Sequence, residues 1–238
     1  MMQSLYTAST GMLGMQLQID TTANNIANVN TIGFKKSRAE FADLMYHVME
    51  YAGTSTTDTT KSPTGIEVGL GVRPTAINKI FSEGSLKQTD NELDMAITGK
   101  GFFKMELPDG TEVYSKNGAF KVDQDGTMVS SDGYTLIPQI VVPPDATNIS
   151  IGTDGTVTVI QPGQTQATQI GQIQTTNFIN PAGLHSMGDN LYIETDSSGQ
   201  PVEGIPGIDG LGTIRQGFVE LSNVELVVEL TDLITGQR

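Results

Sequence analysis

The sequence predicts an α+β fold in which an antiparallel all-β domain is inserted between N- and C-terminal coiled-coil helices. Three observations carry that prediction. Apolar residues recur at heptad spacing near the N-terminus, a shorter helical pattern closes the chain, and Asp-Gly and Asn-Gly dipeptides punctuate the long stretch between them.

In residues 1–36, Leu5, Met12, Ile19 and Ile26 stand seven apart, and Ala8, Met15, Thr22 and Val29 form a second row three residues later. Apolar positions in this a/d pattern make the seam of a coiled coil. A single helix cannot bury its own stripe, and each fully buried Leu or Ile contributes roughly 1.5–3 kcal/mol, so the seam calls for a partner. The polar positions are Gln, Asn, Thr and Ser rather than Glu and Lys, which suits packing against other chains better than free solvation. The helix is expected to fray over residues 28–33, with Gly33 as its stop.

Phe34, Phe41 and Leu44 are expected to continue into a second short helix through Met49, so that residues 37–75 hold a short helix followed by a Thr/Ser-rich extended segment. Residues 53–65 are nearly all small and polar, a Thr/Ser-rich composition expected to be disordered in an isolated chain.

Residues 76–218 read as the β domain. Asp109-Gly110, Asn117-Gly118, Asp125-Gly126, Asp132-Gly133 and Asp154-Gly155 have the turn chemistry of hairpins, because Gly accepts the positive φ that such turns need. Strands are expected at 101–107, 112–115, 120–122, 127–130, 135–142, 156–160, 170–178 and 190–194. Short strands without intervening helices indicate an antiparallel sheet.

Residues 219–238 close the chain with a helix. Ser222 and Glu225 stand in capping-box relation. Leu226, Leu230 and Leu233 follow at helical spacing, and Val227 and Ile234 flank them. No Gly or Pro follows Gln237-Arg238, as if the helix were cut short. Domain termini often lie close together, so the helix of 1–36 is expected to pair with 219–238 as a two-helix stalk.

The composition rules out several chemistries. With 27 acidic and 13 basic residues and a net charge of -14, the chain is a poor nucleic-acid binder. The absence of Cys excludes disulfides, zinc thiolate sites and thiol catalysis. No apolar run is long enough for a membrane helix, and residues 1–5 lack the pattern of a cleavable signal peptide. His47 and His185 have no metal-spaced companions. Asp123-Gln124-Asp125-Gly126 lacks the later ligands of a calcium loop and reads as a turn. The run from Gly69 to Pro74 lacks the third Gly of a dinucleotide loop and reads as a bend. No catalytic residue, metal site or cofactor is expected.

Residues 24–35 are Asn24-Asn25-Ile26-Ala27-Asn28-Val29-Asn30-Thr31-Ile32-Gly33-Phe34-Lys35. This run resembles the signature of the flagellar rod and hook proteins, in which a helix ends in Asn-Asn-x-Ala-Asn-x-x-Thr-x-Gly-[Phe/Tyr]-Lys. Asn side chains can bind backbone at such a helix end, and Gly lets the chain turn away. Further likeness, closest to the distal-rod members, covers residues 4–12, 63–74, 96–103, 220–224 and 237–238.

The resemblance implies a subunit that polymerises rather than catalyses. It implies export by the flagellar apparatus without a cleaved signal, and a rod spanning the periplasm. Implied partners are other copies of the chain, proximal-rod and hook proteins, the ring bushings and the export apparatus. It implies that Leu5, Met12, Ile19, Ile26, Leu226, Leu230 and Leu233 pack between subunits. It also implies a stiffening role for residues 46–65, including Tyr46, Thr54, Thr59, Pro63 and Gly65. Members of the family continue the last helix beyond Arg238. A minor rod subunit, a hook-type protein and a secreted β-rich binding module are the alternative readings.

Overall fold

The computed structural model describes residues 2–53, 63–163 and 166–238. The chain divides into two compact units. A helical unit takes in residues 1–27, 37–79 and 225–238, and a β unit takes in residues 28–36 and 80–224.

In the helical unit, α1 spans Met2–Ala27 and α2 spans Leu226–Gln237. Four strands accompany them: β1 Ser37–Asp43, β2 Tyr46–Glu50, β3 Ile66–Gly69 and β4 Val72–Lys79. β1 pairs antiparallel with β4, from Ser37 opposite Lys79 to Asp43 opposite Val72, with a bulge between Glu40 and Phe41. β2 pairs antiparallel with β3, Tyr46 opposite Gly69. The short helix expected through Met49 is therefore absent, and residues 37–50 form strands instead. Local apolar spacing there fits either element, and pairing with β4 and β3 decides it.

The buried face of α1 is not its apolar stripe. Gly14, Thr21, Thr22 and Asn25 are its buried residues, with Thr10 and Leu17 half-buried in line with them. Gly14 faces the Phe41 ring and Val72, 3.4 and 3.5 Å from where a Cβ would stand. Gly71, at φ +119°, turns the chain from β3 into β4 where the Thr10 hydroxyl leaves no room for a Cβ. α2 lies along the C-terminal half of α1, with Gly236 beside Ile19 and with Glu229, Leu233 and Gly236 as its covered residues.

The β unit holds β5 Leu86–Gln88, β6 Met95–Thr98, β7 Phe102–Glu106, β8 Glu112–Ser115, β9 Phe120–Val122 and β10 Met128–Ser130. After β11 Thr135–Ile137 come β12 Asn148–Ile151, β13 Thr156–Ile160, β14 Thr168–Gln172 and β15 Thr175–Asn177. β16 His185–Gly188, β17 Leu191–Ile193, β18 Val202–Gly204, β19 Thr213–Gln216 and β20 Phe218–Glu220 complete the order. The largest sheet runs β16-β17-β8-β7-β11-β10-β9, with β15 bridging β7 and β18. β12-β13-β14, β19-β6 and β20-β5 form smaller sheets, and the strand pairs are antiparallel.

Expected strands 112–115, 120–122 and 156–160 coincide with β8, β9 and β13. The run expected at 135–142 stops at Ile137, before Pro138, which lacks a ladder donor. Four of the five turn dipeptides place Gly at positive φ; the exception, Gly118, lies against the Met95 carbonyl. The β domain begins at Ile80 rather than 76, because β4 pairs with β1, and it extends to Val224 rather than 218.

One core cluster gathers Met95, Ile97, Phe103, Met105, Phe120 and Leu136. A second is aromatic, joining Phe102, Tyr114, Phe178 and Tyr192 with Phe81 against it. Its rings meet edge to face, 4.8 Å between the centroids of Tyr114 and Phe178 and 5.4 Å between Phe81 and Phe102.

Candidate functional site

The Asn-rich run at the end of α1 is built into both units. Asn24 and Ala27 are exposed on α1, while Asn25 is buried. The Asn25 amide donates to the Ser37 carbonyl at 2.9 Å and to Oε2 of Glu229 at 3.1 Å, and its Oδ1 accepts from the Ser37 N–H at 2.9 Å. One amide side chain thus clamps the start of β1 to α1 and ties α2 to both.

The following residues, Asn28–Lys36, belong to the β unit. Thr31 N–H donates to the Asn28 carbonyl at 3.2 Å, and Phe34 N–H to the Thr31 carbonyl at 3.3 Å. Gly33 has φ +71° and donates to the Glu220 carbonyl at 2.8 Å. A Cβ there would lie 2.7 Å from the Asn117 amide nitrogen, so only Gly fits both the conformation and the space. Phe34 is buried.

Lys35 is fully buried. Its ammonium donates to Oε1 of Glu220 at 2.5 Å and to the Ser82 carbonyl at 2.6 Å. The same Oε1 accepts from the Gly84 N–H at 2.9 Å. Lys116 lies 3.9 Å from the other Glu220 oxygen. Burial pushes the Lys116 ammonium down to about 8, with Lys35 lowering it further and Glu220 opposing. Asn223 completes the anchor. Its amide donates to the Ile80 carbonyl at 2.8 Å, and its Oδ1 accepts from the Lys36 N–H at 2.8 Å.

These contacts displace the expected C-terminal cap. The residue before α2 is Glu225, which makes no side-chain capping bond, and Ser222 is buried, its Oγ accepting from Val224 N–H at 3.3 Å. Leu221 donates to the Ser85 carbonyl, and Asn223 binds Ile80 and Ser82. Residues 221–224 are therefore held outside the helix, which begins at Leu226 rather than at Ser222 as a capping box requires.

The residues expected to pack between subunits fall into two groups. Leu5 and Met12 are 69% and 68% exposed, and Leu226 and Leu230 are also exposed. Ile19, Ile26 and Leu233 are half-buried. Tyr6, Leu13, Val227 and Ile234, beside that stripe, are exposed as well. On the β2–β3 hairpin Tyr46 is exposed, and a Cβ on Gly65 would lie 2.6 Å from the Glu50 carbonyl. Pro63 lies just ahead of it, and Thr54 and Thr59 lie outside the described residues.

His47 and His185 are exposed on β2 and β16. Asp123 and Gly126 form a turn, the Gly126 N–H donating to the Asp123 carbonyl at 2.9 Å. Among the described residues there is no group of three or more His, Asp or Glu placed to hold a metal, and no helix long and apolar enough to cross a membrane. Glu220, Lys116, Glu229 and Asn223 were not singled out by the sequence pattern. A charged residue destined for burial carries no local mark, and only the run 220–224 of the family likeness pointed toward two of them.

Three family models match the chain. The flagella basal body rod protein model covers residues 5–35, the flagellar hook protein FlgE/F/G D1 domain covers residues 96–159, and the flagellar basal body rod FlgEFG protein C-terminal model covers residues 215–238. Flagellar basal-body rod protein FlgG of Buchnera aphidicola subsp. Schizaphis graminum is 47% identical over the whole chain, which spans 92% of that relative. FlgG of Borreliella burgdorferi is 45% identical and that of Bacillus subtilis 40%, each over the whole chain and 91% of the relative. The Helicobacter pylori hook protein FlgE2 is a distant structural match, with TM-score 0.28 and 15% identity over 78% of this chain and 43% of its own. Matched from end to end by rod proteins, and carrying the helix-end motif in a fully built anchor, the chain belongs to the flagellar basal-body rod protein family, in its FlgG group.

Proposed function

We propose that this chain polymerises into the distal segment of the flagellar rod, a helical tube spanning the periplasm that transmits torque from the motor to the hook. The observation that carries the reading is the outward apolar face of α1, where Leu5 and Met12 are more than two-thirds exposed. A stripe of this kind is stabilised only when something covers it. In a head-to-tail polymer whose rotation does not close, the cover is the next copy. Leu5, Met12, Ile19 and Ile26 of α1 would then form a coiled-coil inner layer with Leu226, Leu230 and Leu233 of neighbouring α2 helices.

The β unit, with its own core, faces outward in this arrangement. Residues 46–65, with Tyr46, Pro63 and Gly65 on or beside the β2–β3 hairpin, bridge subunits and stiffen the tube. Proximal-rod and hook proteins adjoin its two ends, the ring bushings surround it, and the flagellar export apparatus delivers the subunit without a cleaved signal. The role is mechanical and uses no cofactor.

Electron microscopy of basal bodies from a strain lacking this gene tests the reading. Basal bodies with a short rod, no distal segment and no hook are the expected outcome. A complete rod lacking only the hook would assign the chain to the hook instead, and normal flagella would end the axial reading.

A further inference from the structure

The β unit contains a recess of about 300 Å³ lined by Phe81, Gly99, Phe102, Lys116, Phe178 and Ile179. Its walls are mainly aromatic and aliphatic, yet one charged side chain is buried in them. Lys116 keeps only 4% of its side chain exposed. Its Nζ donates to the Gly99 carbonyl at 2.9 Å and lies 5.7 Å from the Phe102 ring centroid. An ammonium has three donors, and this bond uses one of them.

The buried charges around Lys116 do not balance. Its nearest carboxylate oxygen is Oε2 of Glu220, 3.9 Å away, and that oxygen accepts no hydrogen bond. The other Glu220 oxygen is held by Lys35 and the Gly84 amide. Two ammonium groups and one carboxylate are thus buried together, with one positive charge in excess among the buried groups; the exposed Glu83 carboxylate, with Oε1 3.8 Å from where a Cβ on Gly99 would stand, faces Lys116 from the solvent side. Burying an uncompensated charge is costly, and a counter-anion relieves it. Lys100, exposed beside Gly99, adds a second cation to the recess. A cationic recess runs against the net charge of -14 carried by the chain as a whole.

We propose that this recess binds a carboxylate carried on an apolar stem. The stem lies among Phe81, Phe102 and Phe178, and the anion meets the Lys116 ammonium. The volume is at the small end of ligand pockets, which suits a stem of one ring or a short aliphatic chain. Burial pushes Lys116 down to about 8; Glu220 and Glu83 oppose that shift and Lys35 adds to it. A bound carboxylate would raise it again. Affinity therefore falls as pH climbs through about 8 and Lys116 loses its charge.

The test titrates the isotope-labelled full chain with phenylacetate and with its neutral amide, phenylacetamide, followed by NMR. Signals of Gly99, Phe102 and Lys116 should shift saturably with the acid, and the amide should bind about tenfold more weakly. Lys116→Met, checked by its own spectrum for the wild-type fold, should lose the preference. Ile179→Asp, at a position 86% exposed, should weaken the acid without disturbing the buried cluster. Equal binding of acid and amide by the wild type, or no saturable shift, would overturn the proposal. Sedimentation with saturating phenylacetate then identifies the source of the carboxylate. Weakened self-association assigns it to an acidic side chain of a second copy, and unchanged sedimentation assigns it to a free organic acid. The titration is read on the unassembled chain, so its outcome is separate from that of the rod reading.

Discussion

In the β unit, Phe103, Val113, Tyr114, Met128 and Leu136 lie wholly inside, whereas the buried positions of α1 are Gly14, Thr21, Thr22 and Asn25. Side chains of comparable size on α1, such as Leu5, Met12 and Leu13, face outward. The β unit thus supplies its own hydrophobic driving force. The helical unit is held instead by close approach at Gly14 and by the bonds of Asn25 to Ser37 and Glu229, and most of its apolar surface is left for a partner. One chain therefore contains a finished core and an unfinished one. A subunit that polymerises as proposed has a use for that division, since the unfinished part is completed by a neighbouring copy.

The largest effects should come from the finished core. Phe103→Ala should cost about 3–5 kcal/mol in denaturant unfolding, because it empties a fully buried aromatic site. Glu220→Ala should cost about as much, roughly 3–5 kcal/mol, since it leaves Lys35 and Lys116 buried without their carboxylate. A loss within the error of the measurement for either variant would mean that the β unit is not held as described.

Gly33→Ala should cost at least about 1–2 kcal/mol from the left-handed backbone alone, with the close Asn117 amide adding to it, and thermal unfolding reads this directly. A smaller signal should appear on raising pH. Lys116 titrates near 8 in the folded chain against an ordinary 10.5, so the unfolded chain binds more protons between those values and stability rises with pH. The rise should run from pH about 8 to about 10. There the burial of Tyr114 and Tyr192, which holds both hydroxyls above their ordinary value of 10.0, begins to oppose it. Urea midpoints across that window should climb for the wild type and stay flatter for Lys116→Met. The smallest effect belongs to the unfinished core: Leu5→Ala should change the stability of the isolated chain by no more than about 0.5 kcal/mol, while reducing self-association in sedimentation.

Turn dipeptides such as Asp109-Gly110 and Asp125-Gly126 are local signals, and the strands beside them lie close to where those signals put them. The heptad spacing of α1 is local too, and it identified the helix. It did not identify the buried face, because Gly14 and Asn25 meet Phe41, Val72 and Ser37 of strands whose own pairing is remote in sequence. Residues 37–50 read as helix for the same reason, their partners β4 and β3 lying beyond the Thr/Ser-rich run. Ser222 and Glu225 have the spacing of a capping box, but Asn223 is engaged by Ile80 and Ser82, and the helix starts only at Leu226. Lys35 was legible as a motif position, whereas its ion pair with Glu220, 185 residues away, was not.

If α1 packs as proposed, its apolar face is open in the free subunit and covered in the rod. The chain contains no Cys, so a single introduced thiol reports on its own position. The measurement is the labelling rate of Leu5→Cys and Met12→Cys in the purified chain and in isolated rods, with Asp125→Cys on an exposed turn as the reference. Both α1 thiols should react as fast as the reference in the free chain and be strongly protected in the rod, with the reference less affected. Equal rates for the α1 thiols in chain and rod would mean that this face is not what the rod buries.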